Sequence, residues 1–221
     1  MNSVYKSKDI GYYKIVREDL IYFLPKNKSQ KILEIGSGQG NTLVEIKNRG
    51  LAAEVVGTDL FSFENSDQTN PAIDKFIIAN LETDKLELPV AYFDIILVGD
   101  VFEHLTDPWK VVKDLSRFLK KDGLFIASVP NIREVSTFFK IFILRDFRYD
   151  PQGGILDKTH LRFFCKKNIK DLLTTSELNP VSITSTFKAV KNSKRKWLNR
   201  FTLGLFKDML TTQYVVIAKK L

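Results

Sequence analysis

Residues Lys31-Ile-Leu-Glu-Ile-Gly-Ser-Gly-Gln-Gly40 run a buried-strand pattern straight into three glycines at alternate positions. An apolar strand that ends in Gly-x-Gly-x-Gly and opens a helix marks a place where backbone comes close to a ligand. Gly36, Gly38 and Gly40 put no side chain in the way. The spacing excludes one ligand class. The dinucleotide motif Gly-x-Gly-x-x-Gly needs a glycine at position 41, and this chain has Asn41. Inside the strand stands Glu34, an odd place for a carboxylate unless it faces a ligand's ammonium group or the start of the next helix.

Outward from this strand, a helix is expected over about residues 11–24, stopped by Pro25, and another over Asn41 to Asn48, closed by Gly50. Strands are expected over Glu54–Thr58, Lys75–Ala79, Phe93–Val98 and Leu124–Val129. Phe93–Val98 is almost continuous Ile, Leu and Val, as in a central parallel strand buried on both faces. Asp107-Pro108 starts a helix through Leu119, with Asp107 as N-cap and Pro108 in the first position. Residues 61–71, rich in Asn, Ser and Asp, read as loop or a short, poorly formed helix. A helix near Lys167–Glu177 and strands near Val181–Phe187 and Tyr214–Ala218 complete the pattern. Strands alternating with helices at this spacing predict a doubly wound α/β sheet. The 221 residues suit a single domain over 1–221 with one sizeable core.

Hydrophobic content of 44% and charged content of 27% are ordinary for a globular protein. A single cysteine, Cys165, gives neither an internal disulfide nor a metal cluster, which suits a reducing cytosol. No secretory signal or membrane span is expected. The net charge of +8 is local. Lys188, Lys191, Lys194, Arg195, Lys196, Arg200 and Lys207 lie together without an acidic residue between them. With those seven set aside, 27 basic residues stand against 26 acidic ones. A near-neutral body with one basic segment points to a local anionic partner rather than to nucleic acid.

In an open α/β sheet, ligands sit beyond the carboxyl ends of the strands where strand order reverses. Asp59 ends strand two, about 20 residues after the glycine loop, where a carboxylate can accept both hydroxyls of a ribose or simply cap the strand. Asn80 ends strand three, placed either to meet an adenine amino group or to make a turn. Strand four leads into Phe93-Asp-Ile-Ile-Leu-Val-Gly-Asp-Val-Phe-Glu-His-Leu-Thr-Asp-Pro108. Ser128-Val-Pro-Asn131 follows strand five, and Asp157-Lys-Thr-His-Leu-Arg-Phe-Phe164 precedes a helix.

Over about residues 11–175, the order and spacing of these motifs resemble class I S-adenosylmethionine-dependent methyltransferases. The likeness is strongest to ubiquinone-pathway O-methyltransferases and the methyltransferase type 11/23 group. The resemblance implies a Rossmann-like, seven-stranded sheet, mostly parallel with an antiparallel last strand. It implies S-adenosylmethionine as cofactor, with S-adenosylhomocysteine as product. Contacts to it are implied at Glu34, Gly36, Ser37, Gly38, Gly40, Asp59, Asn80, Gly99 and Asp100, and Arg17 stands where relatives place an arginine for the cofactor carboxylate. Many relatives have aspartate where this chain has Asn80.

Methyl transfer to a hydroxyl needs donor and acceptor held close, water excluded and a proton removed. The two histidines, His104 and His160, each fall in a motif expected at the active edge, with Glu103 and Asp157 nearby to orient them. A structural role for His104 stays open. Glu103, His104 and His160 could share a divalent ion, but adjacent residues rarely ligate together, so no metal is expected. A lid insertion is expected over about residues 132–156, containing the apolar run Val135–Leu144, which is too short to span a bilayer. In a basic amphipathic segment over about 188–210, Trp197, Phe201, Leu205 and Met209 repeat at i+4. It reads equally as a helix packed on the sheet or as a surface for anionic lipid or a phosphorylated acceptor.

Relatives with such a tail are implied in bacterial cell-surface glycan pathways, acting on sugars carried on nucleotide or polyprenyl diphosphate. The expected function is therefore methylation of a hydroxyl on a small, lipid-linked or nucleotide-linked acceptor, a polysaccharide-biosynthesis sugar. The expected location is cytoplasmic, with peripheral contact at the inner face of the membrane. An amino-sugar N-methyltransferase and a non-catalytic cofactor-binding partner protein are the alternatives. Nucleic-acid methylation is disfavoured: no Asn/Asp-Pro-Pro-Tyr/Phe follows strand four, and no Pro-Cys nucleophile is present.

Overall fold

The computed structural model of the chain describes residues 15–186 and 194–221. They form a sheet of order β3-β2-β1-β4-β5-β7-β6. The strands are β1 Lys31–Ile35, β2 Glu54–Asp59, β3 Lys75–Ile78, β4 Phe93–Gly99, β5 Leu119–Pro130, β6 Leu178–Ser185 and β7 Gln213–Lys220. Strands β1 to β5 pair in parallel, and β7 runs antiparallel to both β5 and β6. The expected Rossmann-like sheet with an antiparallel last strand is what forms.

Side-chain alternation explains why the central strands are apolar throughout. Leu33, Ile35, Ile96 and Val98 enter the core on one face of the sheet. Their neighbours Ile32, Val55, Ile95 and Leu97 enter the core on the other. Helices α1 Glu18–Ile21 and α2 Asn41–Asn48 cover one face and α3 Pro108–Ser116 and α5 Lys166–Leu172 the other, while α4 Val135–Phe138 follows β5 and α6 Lys194–Phe201 and α7 Lys207–Leu210 precede β7. As expected, Asp107 caps α3, its carboxylate accepting the Lys110 N–H at 3.0 Å.

Several boundaries differ from expectation. Of the N-terminal helix, residues 11–14 lie outside the described residues, and the regular part is α1. The helix starting at Pro108 stops at Ser116, and β5 begins at Leu119 rather than Leu124. Leu119 pairs with Phe93 ahead of a register irregularity, and the chain then turns through Asp122 at φ +65°. Of the basic segment, Lys188 and Lys191 lie outside the described residues. The remainder is two helices rather than one amphipathic rod. Leu203 (φ +51°) and Gly204 (φ +81°) enter the left-handed region between them, and the Gly204 N–H closes on the Asn199 carbonyl at 2.8 Å.

β1 and β4 are the neighbours at which strand order reverses. The candidate site lies beyond their carboxyl ends.

Candidate functional site

The glycine loop folds as a cradle. Gly36, Gly38 and Gly40 have φ of +70°, +54° and +89°, a region costly to residues with a Cβ. A Cβ on Gly36 would stand 2.4 Å from Val101 Cγ2, and one on Gly40 would stand 2.9 Å from Ile73 Cδ1 and 3.1 Å from the Asp67 carbonyl carbon. The N–H groups of Gly36 and Ser37 both donate to the Thr58 carbonyl, at 2.8 and 3.0 Å, tying the loop to the end of β2. The Gly38 N–H donates to Asp59 Oδ2 at 2.7 Å, and the Phe61 N–H to Asp59 Oδ1 at 3.0 Å. Each carboxylate oxygen retains acceptor capacity. Burial pushes the Asp59 carboxyl up to about 6, with the Phe61 and Gly38 N–H groups pulling the other way.

Glu34 sits beneath the cradle, 3% exposed. Its Oε2 is buried with no hydrogen-bond partner among the described residues. Burial pushes its carboxyl up to about 8, opposed by the Arg17 charge. Arg17 lies flat on Gly99, where a Cβ would stand 2.6 Å from its Nη1. Its Nη1 is 3.1 Å from Asp100 Oδ2. Its Nε and Nη2 donate to Asp19 at 3.0 and 2.9 Å, and Nη2 also donates to Ser128 Oγ at 2.7 Å. Burial works against the cation, but Asp100 and Asp19 more than offset it and hold the guanidinium charged. Asp100 itself adopts φ +55° and accepts hydrogen bonds from Ser128 Oγ at 2.9 Å and Gln213 Nε2 at 2.6 Å. The network thus joins the ends of β4, β5 and β7 to the N-terminal helix.

Next to it the two histidines meet, although 56 positions separate them in sequence. Their rings stand edge to face with centroids 4.7 Å apart. His104 Nδ1 lies 3.2 Å from the Thr159 carbonyl and His160 Nδ1 lies 2.9 Å from the Ile155 carbonyl. A carbonyl only accepts, so each Nδ1 carries a proton, and in the neutral imidazole the lone pair is on Nε2. Backbone carbonyls hold these Nδ1 protons. Asp157 accepts the Thr159 N–H and hydroxyl, both at 2.8 Å. Neither carboxylate oxygen of Glu103 has a hydrogen-bond partner among the described residues, although the residue is 1% exposed. Burial, with the nearby Asp100 charge, raises the Glu103 carboxyl well above its ordinary range. Glu103, His104 and His160 each bring one donor atom within 4.8 Å of the others, a set whose chemistry suits a divalent cation.

A family model described as a methyltransferase domain matches residues 10–183, most of the chain. The chain belongs to the methyltransferase-domain family. It is 30% identical over 161 residues to a ubiquinone biosynthesis O-methyltransferase of Cereibacter sphaeroides, covering 68% of this chain and 61% of that protein. A probable S-adenosylmethionine-dependent methyltransferase of Mycobacterium tuberculosis is 29% identical over 125 residues, 56% of this chain and 44% of that one. The chain thus spans about half the length of the curated relatives it matches. Among solved structures, an S-adenosylmethionine-dependent methyltransferase from Archaeoglobus fulgidus shares the fold with a TM-score of 0.61 at 18% identity, covering 94% of each chain. The Haloferax volcanii complex between the Trm112 methyltransferase activator and a methyltransferase gives a TM-score of 0.63 at 11% identity, over 92% of this chain and 88% of that one. By family and fold the chain is a class I methyltransferase domain, in a family whose cofactor is S-adenosylmethionine.

The structure gathers Glu34, Gly36, Ser37, Gly38, Gly40, Asp59, Arg17, Gly99 and Asp100 around the ends of β1, β2 and β4. Asn80 follows β3 beside the end of β2, where the Ala79 N–H donates to the Asp59 carbonyl at 2.9 Å, and it makes a turn: its Oδ1 accepts the Glu82 N–H at 3.0 Å and its own N–H donates to Asp84 at 2.8 Å. Sequence reading missed Gln68. This buried side chain donates to the Gly38 carbonyl at 2.8 Å and the Phe61 carbonyl at 2.9 Å, and accepts the Phe63 N–H at 2.9 Å. It buckles the loop after β2 onto the cradle. Asn41, the residue that breaks the dinucleotide spacing, donates to Asp67 in the same loop at 2.9 Å.

Proposed function

We propose that this methyltransferase transfers a methyl group from S-adenosylmethionine to a hydroxyl of a small, lipid-linked or nucleotide-linked acceptor. The observation that supports the reading is the pair of imidazoles that meets beyond β4, where Val101 packs against Gly36, each with Nδ1 held by a carbonyl and, in the neutral ring, its lone pair on Nε2. For the acceptor we infer a sugar of a cell-surface glycan, supported by the resemblance to enzymes of such pathways. A lipid carrier would bring the reaction to the cytoplasmic face of a membrane.

The cradle fits the cofactor. The positive-φ glycines keep side chains off the loop backbone, and Glu34 Oε2 is a buried acceptor with no hydrogen-bond partner among the described residues. Glu34 would receive the ammonium group, Arg17 the carboxylate, and Asp59 the ribose hydroxyls, with Asn80 at the adenine end. The bound cofactor supplies a methyl group made electrophilic by its sulfonium sulfur. His160, 7% exposed, takes the acceptor's hydroxyl proton on Nε2 while the Ile155 carbonyl keeps the ring oriented and stabilises the imidazolium that forms. His104 packs against it and restricts its rotation. The apolar lid over residues 132–156 covers the acceptor and keeps water from competing for the proton.

Release of S-adenosylhomocysteine from a panel of nucleotide-linked sugars tests the proposal. Acceptor-dependent release supports it. Cofactor binding without release from any hydroxyl or amine acceptor would instead make the chain a non-catalytic partner.

The Glu34 assignment has a pH signature. Its carboxyl is raised from 4.5 to about 8 in the folded protein. The unfolded chain therefore loses this proton first, so the group's contribution to stability is full below pH 4.5 and is lost as pH rises toward 8. An ammonium seated against Glu34 favours the ionised form. Cofactor affinity should then rise with pH up to about 8, by at most about tenfold per unit. Calorimetric titration at several pH values checks this, and Glu34→Gln should flatten the slope.

A further inference from the structure

Two exposed apolar segments leave the sheet at the same end as the site. One follows Pro130 of β5 and the other precedes Gln213 of β7, and these two residues are register partners. The first is α4 and the π-helical turn Phe139–Ile143 that continues it. The second is α6 and the turn after it. One half-buried ion pair joins their first turns. Arg195 of α6 meets Glu134, the N-cap of α4, at 2.5 Å, and Glu134 is 1% exposed. The segments are therefore held side by side.

Their surface is unusual for a protein facing water alone. Phe142, Leu144, Trp197, Phe201 and Leu205 are all exposed, and Leu203 is 96% exposed. Leu203 is also in the left-handed region, so the backbone accepts strain to present a leucine to solvent. Contiguous apolar exposure of this kind marks an interaction surface.

The charge around it indicates the partner. Lys140, Arg145 and Arg148 flank the first segment, and Lys196, Arg200 and Lys207 flank the second. The single acid within 135–149 and 194–207 is Asp146, which is neutralised by Arg148 at 2.7 Å. Alongside runs a groove of about 500 Å³ lined by Arg133, Lys166, Lys167, Lys170 and Val181, and reaching Asp208 of α7. None of these four cations is ion-paired among the described residues. No helix among the described residues is long and apolar enough to cross a membrane. Short apolar helices edged by cations lie in the interfacial plane of a bilayer instead.

We propose that the lid and the Lys194–Leu210 segment form one docking platform for an anionic lipid surface. The exposed aromatic and leucine side chains enter the acyl boundary, and the basic groove takes phosphate headgroups. This deepens the proposed function, because it brings the site to a lipid-carried acceptor, but it is tested without methyl transfer.

The full chain is sedimented with vesicles of phosphatidylcholine alone and of phosphatidylcholine with phosphatidylglycerol. Binding to the anionic vesicles is expected to be at least about tenfold tighter, and to weaken as salt rises. The variant Trp197→Ser/Phe201→Ser/Leu203→Ser should lose about tenfold or more in vesicle affinity. Its melting temperature should not change, because the three side chains are exposed. Lys166→Glu/Lys170→Glu should lose most of the preference for phosphatidylglycerol.

No binding to anionic vesicles overturns the proposal, as does equal binding by the triple variant. So does a stable dimer that covers the patch and leaves no vesicle binding. Vesicle binding without methyl transfer to any acceptor would count against the proposed function and leave the platform standing. Methyl transfer to a soluble sugar nucleotide without vesicle binding would do the reverse.

Discussion

Gly36→Ala is expected to lower S-adenosylmethionine affinity at least about a hundredfold, about 3 kcal/mol, in a protein that still folds. Two effects act together. The backbone at φ +70° disfavours any residue with a Cβ, and the added carbon would stand 2.4 Å from Val101 Cγ2. Val101 cannot yield independently. It follows Asp100, whose left-handed backbone and ion pair with Arg17 fix that end of β4. Relief of the clash must therefore move the cradle, the Asp100–Arg17 network, or both. Gly50→Ala separates strain from clash. Gly50 has φ +62°, but the atom nearest to an added Cβ would be Lys28 Cε at 4.0 Å. It closes α2, away from the cradle. That variant should lose about 1 kcal/mol of stability with unchanged cofactor affinity. Calorimetric titration of cofactor and thermal melts of both variants decide the matter. Unchanged affinity in Gly36→Ala would remove the cradle from the binding site.

The parts of this architecture that are legible in sequence are those written in local pattern. The apolar runs at Lys31 and Phe93, the glycines and the Asp107-Pro108 start are each decided by a few neighbouring residues, and they form as expected. What sequence does not convey depends on side chains that cross between elements. Gln68 is one glutamine in a polar loop, and nothing local distinguishes it from a solvated residue. Its three hydrogen bonds exist because β2 and the glycine loop bring Gly38, Phe61 and Phe63 around it. The i+4 series from Trp197 to Met209 misleads in the opposite direction. The period suggests one helix, but Gly204 ends it, and packing does not restore it because Trp197, Phe201 and Leu205 stay exposed among the described residues. The pairing of His104 with His160 is legible only as two motifs at one edge. The carbonyls that hold them, from Thr159 and Ile155, belong to the backbone and leave no trace in residue type.

His160→Ala is expected to reduce turnover with a hydroxyl acceptor by about 10²–10⁴-fold while cofactor affinity stays within about twofold, a difference of less than 1 kcal/mol. Geometry separates the two effects. His160 has Nδ1 on the Ile155 carbonyl, which leaves Nε2 to take a proton in the neutral ring, is 7% exposed, and belongs to the segment after the lid rather than to the glycine cradle. Its removal should therefore affect proton transfer and leave the cofactor contacts intact. Single-turnover release of S-adenosylhomocysteine, measured beside cofactor titration, gives the two numbers separately. Added imidazole should restore part of the lost rate, which a purely structural role would not allow. His104→Ala makes the comparison informative. If His104 only supports its neighbour, its loss should reduce the rate less and imidazole should not rescue it. An amine acceptor needs less base catalysis, so a small effect of His160→Ala with robust turnover would favour N-methylation. A chelator that abolishes the wild-type rate would assign the Glu103, His104 and His160 donors to a cation instead, because a general base needs none.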